Sequence, residues 1–140
     1  MTSRVIPAFH RYLQYQSKGP EDQGLAKLCD EFLSTLKEFT EEMDKEGPYF
    51  YGKEISLVDL MIAPWAVRLW IFDEFKGGLE IPEGKVWDRW REWVGAIEKR
   101  GSVVETLSGR EHYLPIYQRY AEDRAQSELA KATREGRGVP

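Results

Sequence analysis

Apolar residues recur every three or four positions along most of this chain, and no segment shows sustained two-residue alternation, so the pattern predicts helices and no sheet. Ile6, Phe9, His10 and Leu13 fall at helical spacing, which predicts a first helix from about Ser3 to Ser17, broken by Gly19-Pro20. Leu25, Leu28, Cys29, Phe32, Leu36, Phe39 and Met43 form one stripe of a second helix, from Pro20 or Glu21 to Lys45. Pro near its start and Gly47 near its end fit the usual asymmetry of helix termini. A third helix is expected from Leu57 to about Phe75. It is apolar nearly all round, so it is expected in the middle of the bundle, kinked at Pro64 and ended by Gly77-Gly78. After a loop from Leu79 to Gly84, a fourth helix spans Val86 to Arg100 with Trp87, Trp90, Val94 and Ile97 inward. A short helix near Ser102–Ser108 follows, then a helical stretch from Arg110 carrying Tyr113, Tyr117 and Tyr120. A last helix, Ala125–Arg134, leads to a Gly-rich tail ending at Pro140.

The start of the third helix carries the most specific local signal. In Gly52-Lys53-Glu54-Ile55-Ser56-Leu57-Val58-Asp59-Leu60, Ser56 is a good N-cap whose hydroxyl can accept from the Asp59 N–H. The Asp59 carboxylate can accept from the Ser56 N–H in return, a reciprocal capping box. Ile55 and Leu60 stand at the spacing of a hydrophobic staple. A catalytic role for Ser56 and Asp59 is the less economical reading. Capping alone implies that Asp59→Ala costs about 1–2 kcal/mol.

Composition narrows the class. The chain has 140 residues, 41% hydrophobic and 31% charged, which suits one globular domain rather than a disordered chain. A net charge of −4 leaves no basic footprint for nucleic acid or an anionic membrane. The cluster Arg89, Arg91, Lys99 and Arg100 is interleaved with acids and is expected to be a solvated helix face. Cys29 is the single cysteine, which excludes an intrachain disulfide and fits a reducing compartment, so a cytoplasmic location is expected. No secretory signal pattern stands at Met1–Arg11, and the apolar run Leu57–Phe72 is too short and too charged to span a bilayer. His10 and His112 stand far apart with no cysteine cluster, so no metal site is expected, and each is expected to be a surface or hydrogen-bonded histidine.

The capping segment resembles the Gly-x-x-apolar-Ser/Thr-x-x-Asp-apolar motif of glutathione transferase C-terminal domains. Pro64-Trp65 with Arg68-Leu69 is similar to the Pro-Trp-x-x-Arg-Leu pattern of omega-class and fungal omega-like members. Val5-Ile6-Pro7-Ala8-Phe9 resembles the first helix of that domain, and Tyr117-x-Arg119-Tyr120-Ala121 its end. The resemblance covers nearly the whole chain. It implies an all-α bundle of about five to seven helices, residues 1–140 forming one such domain without the family's N-terminal thioredoxin-like domain. That domain supplies the catalytic Cys, Ser or Tyr and the contacts to glutathione, so no catalytic residue and no cofactor are expected in this chain, with glutathione as co-substrate of the intact enzyme.

By the same resemblance, Phe9, His10, Leu13, Trp65, Arg68, Tyr113 and Tyr117 are candidates for the wall of an apolar substrate pocket and for the domain interface, with core packing as the alternative for each. A structural ion pair is the favoured role for Arg68, because a lone charge in an apolar helix needs a partner. Cys29, on the apolar stripe beside Asp30 and Glu31, is expected to be core filler and a poor nucleophile. The implied function is the substrate-pocket half of a detoxification enzyme that acts on a small apolar electrophile or a disulfide, with this chain inactive alone; the resemblance also implies a homodimer. The alternative is a non-catalytic protein-interaction module or a small apolar-ligand carrier with the same fold.

Overall fold

The computed structural model describes residues 2–137, with nothing stated for the side chains of positions 2 and 3. The end of the Gly-rich tail, 138–140, lies outside the described residues. Among those described, eight helical segments form the fold: α1 (Thr2–Gln14), α2 (Gly24–Glu41), α3 (Leu57–Ala66), α4 (Ile71–Phe75), α5 (Lys85–Lys99), α6 (Gly101–Val104), α7 (Arg110–Ala121) and α8 (Glu128–Arg134). The only strand-like pairing among them is one isolated bridge, Tyr49 to Gly52.

The hub of the bundle is α1, which packs against α2, α3, α7 and α8. Its inner face buries Val5, Ala8, Phe9, Tyr12 and Leu13. Phe9 is the aromatic centre, with Phe72, Trp65 and Phe32 rings at 4.9, 5.2 and 5.9 Å. A second aromatic group joins α2 to α5 through Phe39, Phe50, Trp90 and Trp93. Trp93 is fully buried, whereas Val94, expected inward, is only partly so.

The second helix is shorter at both ends than the expected span from Pro20 or Glu21 to Lys45. Asp22 accepts hydrogen bonds from the Gly24 and Lys18 backbones and from the Tyr15 hydroxyl, so a side-chain-stabilised turn replaces the expected first helical turn. Those donors, the Tyr15 hydroxyl foremost, hold the Asp22 carboxyl down at about 2. A Cβ at Gly24 would meet the Tyr15 hydroxyl, so a larger residue there displaces that ring from Asp22. At the other end the chain leaves the helix after Glu41, and the Asp44 N–H turns to the Phe50 carbonyl. Arg89 then clamps this loop by donating to the carbonyls of Asp44, Pro48 and Tyr49.

The expected third helix is two. Its backbone tightens to i→i−3 hydrogen bonds at Arg68, Ile71, Phe72 and Asp73, so the break falls at residues 67–70 rather than at Pro64. Nor is α3 central. Ile62, Ala63 and Ala66 face inward, but Leu57, Leu60 and Met61 are 72%, 46% and 49% exposed. An apolar run all round a helix thus marks here one covered face and one open one. The end of α4 follows expectation: the Lys76 and Gly78 N–H groups both bond to the Phe72 carbonyl, with Gly78 at φ +116°, a conformation that glycine alone adopts without strain.

Candidate functional site

The start of α3 is built on Asp59. Its Oδ2 accepts from the Ser56 N–H at 2.7 Å and from the Ser56 hydroxyl at 2.9 Å. Its Oδ1 accepts from the Phe50 N–H at 2.9 Å and the Trp93 indole N–H at 2.7 Å. The reciprocal contact from the Asp59 N–H to Ser56 Oγ is in place but falls short of a full hydrogen bond. With its carboxylate fully buried and occupied by four donors, Asp59 is a structural anchor. Ile55 packs on the core, whereas Leu60 is 46% exposed.

The candidates of the first helix lie in the core. Phe9 and Leu13 are fully buried among α2, α3 and α7. His10 is also buried, in place of the expected surface or hydrogen-bonded position. Its ring packs against Trp65 at 5.1 Å, Tyr120 at 5.2 Å and Phe9 at 5.3 Å, and both ring nitrogens lack a hydrogen-bond partner. Burial pushes its pKa down to about 4, against a smaller opposing effect of Gln14, whose side chain lies nearby without full hydrogen-bond geometry. His10 is therefore neutral at pH 7. Cys29 is a free, partly buried thiol packed on the core.

A cavity of about 400 Å³ opens between α3 and α6, walled by Leu60, Ala63, Pro64, Val67, Val103 and Leu107, with Ser102 and Thr106 beside them. Arg68 also borders it. Its Nη1 donates to the Tyr117 hydroxyl at 2.9 Å and its Nη2 to the Tyr113 hydroxyl at 3.4 Å. The guanidinium carbon stands 4.5 Å from the Tyr113 ring centre, a cation–π stack. Tyr113 also accepts from the Ser108 N–H at 3.1 Å, and that bond, more than Arg68, holds its pKa below the usual phenol value. Among the described residues Arg68 has no carboxylate partner. The expected ion pair is replaced by two phenols, because the helical stretch packed on this face brings tyrosines and no acid to it.

The structure thus brings Arg68, Tyr113 and Tyr117 together and leaves Phe9, His10 and Leu13 behind them. Trp65 is half-buried between the two groups, against Phe9 and His10. The walls from α6 and its exit, Val103 and Leu107, had no distinctive sequence signal, since two apolar residues in a short helix fit any packing. The cavity wall sets Arg68 and the Ser102 and Thr106 hydroxyls beside an apolar surface, an arrangement that can bind and orient a ligand. No group of three or more metal-ligating side chains occurs among the described residues, and no helix among them is long and apolar enough to cross a membrane.

The described residues thus form an all-helical bundle with a capped α3 and an apolar cavity beside it. The sequence profile described as glutathione S-transferase, C-terminal domain, matches residues 22–96, just over half of the chain, and the chain belongs to that family. It is 29% identical over 112 residues to a probable cytosolic glutathione S-transferase, DHAR1, of Oryza sativa subsp. japonica, an alignment covering 80% of this chain and 49% of that protein. Its fold matches the crystal structure of glutathione transferase Omega 3C from Trametes versicolor with a TM-score of 0.69 and 33% identity, over 90% of this chain and 50% of the other. The chain therefore spans about half the length of both relatives.

Proposed function

We infer that this chain forms the co-substrate pocket of an omega-like glutathione transferase. The cavity bordered by Arg68 is the observation that carries it. It is apolar, of a size that takes a small aromatic molecule, and has one polar corner held by Tyr113 and Tyr117. In this role the chain positions the apolar co-substrate, an electrophile or a disulfide, while the glutathione thiol reacts on a thioredoxin-like half. The exposed stripe of Leu57, Leu60 and Met61 is the face such a half would cover. Cytoplasmic location and homodimer formation by the assembled enzyme belong to the same proposal.

The test uses glutathione and a test electrophile. The 140-residue chain alone is expected to give no glutathione-dependent conjugation or thiol–disulfide exchange. Fused behind the thioredoxin-like half of an omega-class glutathione transferase, it is expected to give one of them. Robust turnover by the chain alone, or an inactive but folded fusion, would overturn the proposal. The exposed stripe also suits a non-catalytic interaction module, and stable capture of one defined heterologous protein by a chain whose fusion stays inactive would favour that alternative.

A further inference from the structure

We propose that His10 is an acid-sensitive latch: while its ring is uncharged it holds α7 and α8 against α1, and its protonation releases those two helices from the rest of the bundle. The latch needs no ligand, so it stands or falls apart from the pocket role given above.

Three observations carry it. The first is where the ring sits. His10 is 1% exposed, in the seam between α1, α3 and α7. It meets Trp65 across the seam on α3 and Tyr120 on α7. Among the described residues neither of its nitrogens has a hydrogen-bond partner. A neutral imidazole carries one N–H into this setting, whereas an imidazolium carries two and a full charge. A buried cation without an acceptor is strongly disfavoured, so the closed seam accepts only the uncharged ring.

The second is that the charges on the packed elements are engaged elsewhere. Arg68, after α3, donates to Tyr113 and Tyr117 of α7. Glu31 of α2 pairs with Arg11. Asp123, after α7, pairs with Arg134 of α8, and Glu128 pairs with Lys131 within α8. Lys76 donates to the Tyr15 and Ala121 carbonyls. Tyr120, and Tyr117 beside it, are uncharged at neutral and acid pH. Burial, opposed by Gln14, therefore governs the titration of His10 and sets its pKa at about 4.

The third is that one side of the seam is weakly held. The buried residues of α7 are Tyr117 and Ala121, and those of α8 are Ala130 and Ala132. By contrast α5 buries three tryptophans and Ile97. Pro115 removes a backbone N–H from α7. Residues 105–109, which lead into α7, are all exposed and can absorb a rotation. Elements with so little buried apolar surface open at the least free energy. Turning α7 outward takes Tyr120 off the His10 ring and admits water to it.

The direction follows from linkage. The ring takes its proton at 6.5 when released and at about 4 when latched, so the opening constant rises as pH falls from 6.5 and levels off below 4. Relative to pH 7, the rise is about eightfold at pH 5.5 and about sixtyfold at pH 4.5.

Amide hydrogen exchange of the 140-residue chain at these three pH values, each rate divided by its intrinsic value, tests this. At pH 7 the amides of α7 and α8 are expected to be less protected than those of α5, and their opening constants are expected to rise by the factors given. His10→Phe is expected to abolish the rise. Opening constants of α7 and α8 that do not change with pH, protection equal to that of α5 at every pH, or a rise that survives His10→Phe would each overturn the proposal. If His10→Phe loses its helical circular dichroism, the unaltered chain decides, with the His10 imidazole nitrogen shifts followed by NMR alongside exchange. A ring that gains its second proton while α7 and α8 stay protected would show that the aromatic cage holds the imidazolium, and no latch exists.

Discussion

Asp59 shows how one residue comes to hold more than its local signal implies. Capping alone makes Asp59→Ala worth about 1–2 kcal/mol. The structure adds a buried indole N–H and the Phe50 N–H to the same carboxylate, and each donor left unpaired costs about 1–3 kcal/mol. Asp59→Ala is therefore expected to cost at least about 3 kcal/mol in urea denaturation, with Trp93→Phe on its own costing less. A loss no larger than a capping effect would show that the two extra bonds contribute nothing. His10 makes a prediction of opposite chemistry. Its pKa is about 4 when folded and 6.5 when free, so between those values the unfolded chain binds a proton that the folded chain refuses. Stability is then fully present above pH 6.5 and falls as the pH drops towards 4, by about 3 kcal/mol in all. His10→Phe is expected to flatten that part of the stability–pH curve, measured as the difference between variant and parent at pH 7, 5.5 and 4.5. Parallel curves would rule the histidine out as the cause.

Between elements, basic side chains tie ends together. Lys76 donates to the Tyr15 carbonyl at 2.6 Å and the Ala121 carbonyl at 3.3 Å, where α1 and α7 finish. A cation at two helix C-termini complements both dipoles, although burial lowers the lysine's pKa. Lys76→Met is expected to cost about 2 kcal/mol and to speed amide exchange at the C-terminal end of α7 more than in α5. Uniform exchange across the two helices would argue against a local tie. Arg89, Arg91 and Arg100 act similarly. Arg91 donates to the carbonyls of Ile81 and Pro82, and Arg100 stands over the Tyr49 ring, so much of what reads as a solvated charged face fastens loops to α5. The charge pattern alone could not reveal this, because a carbonyl partner leaves no mark on the composition.

At the scale of the whole molecule, the open face of α3 is the main feature. Leu57 and Met61 contribute little to the core, so replacing both by Gln is expected to change stability by no more than about 0.5 kcal/mol. If a second domain covers this face, the same pair of substitutions is expected to prevent recovery of glutathione-dependent activity on fusion. A fusion that stays fully active would place the domain contact elsewhere.

The helices, their Gly and Pro stops, the cap at Ser56 and the family are legible along the chain because each depends on neighbours within one or two turns. The contacts that make the cavity are not. Trp93 reaches Asp59 across 34 positions, and Arg68 reaches Tyr113 and Tyr117 across 45 and 49. Periodicity marks which residues are apolar, but only packing decides which stripes are covered. It put Phe9, His10 and Leu13 inside, left Leu57, Leu60 and Met61 outside, and gave Arg68 phenols in place of a carboxylate. The polar corner of the pocket is a property of tertiary structure because it depends on which groups meet there.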